Sequence, residues 1–188
     1  KLRGEGKRGF IPALRVLPQD SLENLLYGAE VQLMPTFREN APKRAAYHEM
    51  ALCTVVCAVA SDNPVASRAS LGVKDIFDAG RLAISRPNAA PRSVINVQNQ
   101  LISMHDPGDI IFCESVEVQS YVVASGFAAA VLVDTPGIRV PGVSYIPIEG
   151  MEPVSYGAAY MAEELTPLLK RFLHILTEHS AASINEAT

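Results

Sequence analysis

No apolar run in these 188 residues reaches the ~18 that a membrane-spanning helix needs, and no charged leader with a hydrophobic centre precedes the first element. Basic clusters are also scarce. Lys and Arg number 16 against 20 Asp and Glu, the net charge is −4, and the one dense group, KLRGEGKR at Lys1–Arg8, sits at a terminus where a solvated or frayed end is expected. Phosphate backbones are gripped by clustered cations, so this segment is not expected to hold nucleic acid by itself. Cysteine occurs three times, at 53, 57 and 113. An odd count with no secretory signal favours a reducing, cytoplasmic setting. Cys53 and Cys57 share one face at a period of two within ALCTVVCAVA and are expected as small buried thiols, because no second close Cys or His pair completes a zinc site. His48, His105, His174 and His179 fall in no catalytic or metal-ligand spacing, and GEGKRG lacks both the preceding strand and the spacing of a phosphate loop. No catalytic residue, metal or cofactor is expected. An initiator Met is missing too, and the abrupt start predicts a piece of a larger protein, trimmed or incompletely ordered at its front.

What the chain has is apolar content, 48%, in short bursts. That is enough for one domain or two lobes of about 80 to 110 residues each. The clearest rhythm is IIFCESVEVQSYVVASGFAAAVLVDTPG, Ile110 to Gly137. Ile110–Cys113 and Ala128–Val133 are apolar runs too short for helices and without polar alternation, which predicts parallel strands buried on both faces. Between them, Ser115 to Ser125 has the length of a crossover helix, with Ser115 as its cap and Gly126 as its end, although SVEVQ taken alone alternates like a strand.

The same alternation runs through the rest of the sequence. Leu14–Leu17 predicts a strand. Asp20 or Ser21 caps a turn of helix carrying Leu22, Leu25 and Leu26, Gly28 stops it, and Val31–Met34 restarts a strand. TFRENAPKRAAYHEM is expected as a polar connection, Ala51–Ala60 as one continuous apolar strand, Val73–Ala79 as a short helix, Leu82–Ile84 as a strand and Val94–His105 as a helix. Two short strands, Ser144–Ile148 and Ser155–Met161, precede an amphipathic last helix. Thr166 caps it, Pro167 opens it, and Leu168, Leu169, Phe172, Leu173 and Leu176 form its buried face. There are no internal repeats. Strand and helix in alternation predict an α/β fold with largely parallel sheets.

Four pieces, LENLLYGAEVQLMP, VASDNPVASRASLGVKDI, VVASGFAAAVLVDTP and VPGVSYIPIEG running on to LTPLLKRFLHIL, resemble in order and spacing the effector-binding domain of LysR-type transcriptional regulators, from Leu14 to Thr177. That resemblance implies the type II periplasmic-binding-protein fold: two Rossmann-like α/β lobes joined by crossing strands. Lobe one would hold residues 1–60 and 144–188, and lobe two residues 61–143. It also implies a small-molecule effector, a homodimer or homotetramer, and DNA contacts made only through a helix-turn-helix head outside these residues. The family's first strand and helix normally precede the segment matching GFIPALRVLP, and here only KLRGEGKR stands before it.

Ligands of α/β sheets lie at the carboxyl ends of strands, where helix N-termini offer free amides. Four loops meet that condition, giving Met34, Thr36, Ser85, Arg86, Asn88, Glu114, Ser115 and Asp134 as candidate effector-binding residues. Arg86 either pairs with an anionic effector or is a solvated loop charge. Glu114 either accepts from the ligand or stabilises the start of the crossover helix. Thr36 and Ser85 are hydroxyls that form turns as readily as ligand contacts. Cys113 adjoins the same edge but has no second cysteine for redox chemistry. The competing functions are a transporter's solute-binding protein on the same fold and a dehydratase acting on a small carboxylic acid. No acid-base constellation supports the latter.

Overall fold

The computed structural model describes residue 13 and residues 22–85, 90–136 and 139–185. The strand expected at Leu14–Leu17 and the cap at Asp20 or Ser21 lie outside them. So do candidate residues Arg86 and Asn88.

Among the described residues, eight strands form two sheets. The smaller joins β1 (Met34–Phe37), β8 (Val154–Tyr160) and β2 (Ala46–Cys53) in the order β1-β8-β2, every pair antiparallel. The larger has the order β5-β4-β6-β3-β7, from β3 (Val55–Ala60), β4 (Leu82–Ser85), β5 (Ile110–Cys113), β6 (Ala129–Val133) and β7 (Val143–Pro147). Among the named strands, β4 with β5 and β4 with β6 run parallel, while β3 is antiparallel to both β6 and β7. The sheets are therefore mixed rather than largely parallel. Parallel pairing appears where α3 (Arg92–Met104) and α4 (Val116–Ala124) supply crossovers, and elsewhere strands return without one.

Alternation along each strand divides the larger sheet's side chains between two layers. Leu82, Ile84, Val131, Val133, Cys57 and Val59 face Val94, Val97 and Leu101 of α3 and Ile76 of α2 (Val73–Asp78). Ala58, Ala83, Cys113 and Ala130 face Val123 of α4. The small residues of the second layer let α4 lie close to the sheet. Each fully buried Val or Leu contributes about 1.5–3 kcal/mol relative to exposure. Ser115 caps α4 as its position predicts, its hydroxyl accepting from Val118 N at 3.3 Å, and Gly126 leaves the helix at φ +74°.

Several expectations need correction. The run Ala51–Ala60 is two strands broken at Thr54, with β2 in one sheet and β3 in the other. The polar stretch before it is no loop throughout: β2 begins at Ala46, and His48 Nε2 meets Thr177 Oγ1 of α5 (Pro167–Asn185) at 2.9 Å. β1 starts at Met34 rather than Val31, because the turn after α1 (Leu22–Tyr27) extends through Ala29, which takes φ +58°. β5 is an edge strand, with Phe112 77% exposed, so it is not buried on both faces. In α5 the Thr166 hydroxyl accepts from Leu169 N at 3.2 Å, and Leu169 and Leu173 are buried one turn apart. Leu168, 51% exposed, sits on the outer side of that turn. Passage between the sheets occurs at Thr54 and between Ile148 and Val154. Ala60 and Val143, expected near the crossings, pair with each other inside the larger sheet.

Candidate functional site

β4 and β6 pair at only two positions, Leu82 with Ala129 and Ala83 with Ala130, and then part. Ala129 N donates to Arg81 O at 2.8 Å, so the period of two turns the carbonyls of Ala83 and Val131 toward the gap that opens beyond. Each is met by a buried glutamine. Gln119 Nε2 of α4 donates to Ala83 O at 2.8 Å from one face, and Gln98 Nε2 of α3 donates to Val131 O at 3.0 Å from the other. An orphaned buried carbonyl costs free energy comparable to a lost hydrogen bond, and these amides remove that cost where the ladder ends. The chain leaves β4 through α3 to reach β5 on one side, and leaves β5 through α4 to reach β6 on the other. This reversal is the crevice in which open α/β sheets hold ligands.

Ser85, Glu114, Ser115 and Asp134 all stand at this carboxyl edge. Ser85 is half-buried at the end of β4 and in register with Cys113, so Glu114 and Ser115 begin the neighbouring loop. Glu114 is exposed. Hydrogen bonds from the Ser115 hydroxyl and from the backbone amide of Glu117 hold the Glu117 carboxyl below its usual range at the start of α4. Asp134 is engaged within the chain: its amide donates to Thr54 O at 2.9 Å, and its carboxylate takes Arg139 Nε at 3.1 Å and Nη2 at 2.5 Å. That pairing raises the Arg139 guanidinium further above its ordinary value.

The remaining candidates belong to the smaller sheet. Thr36 is half-buried in β1 opposite Gly157, and its carbonyl accepts from Tyr47 Oη at 3.4 Å. Met34 is 6% exposed and packs with Leu26, Ala159 and Met161, so its side chain fills core. Burial keeps the thiols of Cys53 and Cys57 protonated, pushing them up to about 11 and about 12, and it raises Cys113 as well.

Sequence reasoning missed the 3-10 turn Arg38–Asn40, which follows β1 and reaches across to the start of α3. Glu39 Oε1 accepts from Arg92 N, and Asn40 Nδ2 donates to Ala90 O at 3.3 Å. A signal was present: Pro91 stands at the N-cap of α3 with no side-chain acceptor, so the helix's orphan amides need a partner from elsewhere. Ser93 Oγ in the same turn is buried without a hydrogen-bond partner among the described residues. No group of three or more His, Cys, Asp or Glu among the described residues is arranged to hold a metal ion, and no described helix is long and apolar enough to cross a membrane.

No family model and no curated protein matches the sequence. Solved structures do match the fold. A putative LysR family transcriptional regulator from Pseudomonas aeruginosa aligns with TM-score 0.65 and 16% identity over 87% of this chain and 58% of its own. The CcmR regulatory domain of Synechocystis PCC6803, in complex with 2-PG, aligns with TM-score 0.62 and 17% identity over 89% and 82%. Full-length CbnR, complexed with its target DNA, aligns with TM-score 0.60 and 14% identity over 91% and 59%. The chain thus spans 58–59% of the length of these longer regulators and 82% of the isolated regulatory domain. Its fold is the two-lobed, periplasmic-binding-protein-like α/β fold of LysR regulatory domains.

Proposed function

We propose that this chain is the effector-sensing and dimerising domain of a LysR-type transcriptional regulator, holding a small anionic molecule between its two sheets. The observation that carries the proposal is the divergence of β4 and β6, with Ser85, Glu114, Ser115 and Asp134 around it and the capped start of α4 beside it. Likeness to a regulatory domain in complex with 2-PG supports a small-molecule effector. DNA contacts would come from a helix-turn-helix head outside these residues, consistent with the net charge of −4 and with the likeness to a regulator solved on its target DNA. The role is one of binding rather than catalysis, exercised in the cytoplasm where the DNA is.

Association into a homodimer or homotetramer is part of the same reading. Val118 and Tyr121 of α4, with Phe127 just beyond it, are 47%, 71% and 59% exposed, and that apolar surface suits burial against a second copy. A solute-binding protein of a transporter shares the fold. An upstream winged helix-turn-helix in the complete reading frame separates the two.

The effector would touch both lobes, with Arg86 supplying a planar donor pair to its carboxylate. In this reading one lobe would take residues 55–148, in place of the 61–143 expected from the resemblance, and the flanking segments would form the other; the membership of β3–β7 in one sheet supports that choice. The test is calorimetric titration with a panel of small aromatic and aliphatic carboxylates. Arg86→Ala should weaken binding by about 1.5–3 kcal/mol without lowering the melting temperature. Lys170→Ala, at an exposed position on α5, should change neither. Unchanged binding by Arg86→Ala removes the anion assignment, and a failure to fold makes Arg86 structural.

A further inference from the structure

We infer that Glu39 and Asn40 form a latch that holds the two lobes together without any effector. The helix α3 has 13 residues and belongs to the larger sheet's layer, yet its N-cap is Pro91, which brings no side-chain acceptor, and no acidic residue lies in its first turn. The acceptor for Arg92 N is instead the carboxylate of Glu39, 53 positions earlier, on the turn that follows β1 of the smaller sheet. Asn40 adds a second bond across the same gap, to Ala90 O. A carboxylate at a helix start satisfies an orphan amide and meets the positive end of the helix dipole. Here both favourable interactions exist only while the two lobes are close. Opening the cleft removes the cap from α3, so lobe separation and fraying of the first turn of α3 become one event.

The covalent passages lie at Thr54 and between Ile148 and Val154, and Phe37, next to the turn, packs with Tyr156 against the core cluster shared by both sheets, so the latch acts beside an apolar contact. Glu39 is exposed and Arg38 pairs with Glu49 at 3.8 Å, so the turn is anchored to its own lobe while its carboxylate serves the other. The latch goes beyond the proposed effector role and does not depend on it, because the contacts are made within the chain.

The experiment is done without added ligand, on the wild type and on Glu39→Ala, Glu39→Gln and Asn40→Ala, with two readouts: amide hydrogen exchange at Arg92 and the radius of gyration from solution X-ray scattering. Glu39→Ala should speed exchange at Arg92 by about fivefold, the scale of a lost helix cap, and should also raise the radius of gyration. Glu39→Gln keeps an acceptor without the charge and should fall between Glu39→Ala and the wild type. Asn40→Ala, which leaves the carboxylate in place, should raise the radius of gyration less than Glu39→Ala. Faster exchange with an unchanged radius of gyration means a local cap and overturns the latch. No change in either readout overturns it as well. If Glu39→Ala does not fold, Glu39→Gln and Asn40→Ala decide on the same two readouts, and wild-type behaviour in both rejects the latch.

Discussion

Gly157 shows how one residue fixes the packing of the smaller sheet. It sits in β8 between Thr36 of β1 and Glu49 of β2, and the Tyr47 ring lies across it so that Tyr47 Oη reaches Ser155 O at 3.0 Å. A Cβ at this position would stand 2.8 Å from both Cζ and Oη of Tyr47 and would overlap the carbonyl oxygen of His48. Backbone conformation is not the reason for glycine here, since Gly157 is not among the residues with positive φ. Closeness of approach is. Desolvation raises the Tyr47 phenol, so Tyr47 stays a neutral donor to Ser155 O at ordinary pH. Gly157→Ala is therefore expected to destabilise the chain by about 1–3 kcal/mol, the range of an overpacked site with displaced backbone. Urea denaturation measures it, and a loss below about 0.5 kcal/mol, typical of an unconstrained surface position, contradicts this account of the site.

At the scale of elements, the two buried glutamines carry the larger sheet through the point where its ladder opens. Replacing either with leucine keeps the volume but leaves a carbonyl of β4 or β6 without its donor. Gln119→Leu and Gln98→Leu should each cost about 1–3 kcal/mol. Gln119 Oε1 has no partner among the described residues, so Gln119→Leu also removes an acceptor unsatisfied there and should be the milder of the two. Equal stability of both variants and the wild type in denaturant titrations would show that the carbonyls find other donors. The sequence made α4 legible because Ser115 and Gly126 are local signals at both of its ends. It hid the break at Thr54 because Val55 continues the apolar pattern of Cys53, and periodicity carries no mark for a change of sheet. It hid the edge position of β5 for a related reason: a run of four apolar residues reads alike at the centre and at the rim. β2 was concealed by its own polarity, since its burial depends on α5, more than 100 residues later, through contacts such as His48 with Thr177.

Across the whole molecule, two covalent passages join two sheets, and the crevice between β4 and β6 opens where the sequence expected ligand-bearing loops. The positions of Ser85, Glu114, Ser115 and Asp134 at strand ends were legible because strand ends can be counted from apolar runs. Glu39 was not, because its role depends on a helix start that only folding brings near. Met34 was misleading for the opposite reason: a residue at the edge of a strand can still point into its own lobe's core. If the crevice is the effector site, a bound molecule favours the closed arrangement only through contacts it makes with both lobes there. The most direct measurement is a map of backbone amide shifts in the isotopically labelled chain as carboxylates from the panel are added. The shifts are expected to saturate and to cluster at Ser85 and Arg86, at Glu114 to Val116, at Asp134 and Thr135, and at Thr36 to Asn40. Saturating shifts confined to any other surface, or shifts at the crevice from one lobe alone, would contradict an effector held between the two.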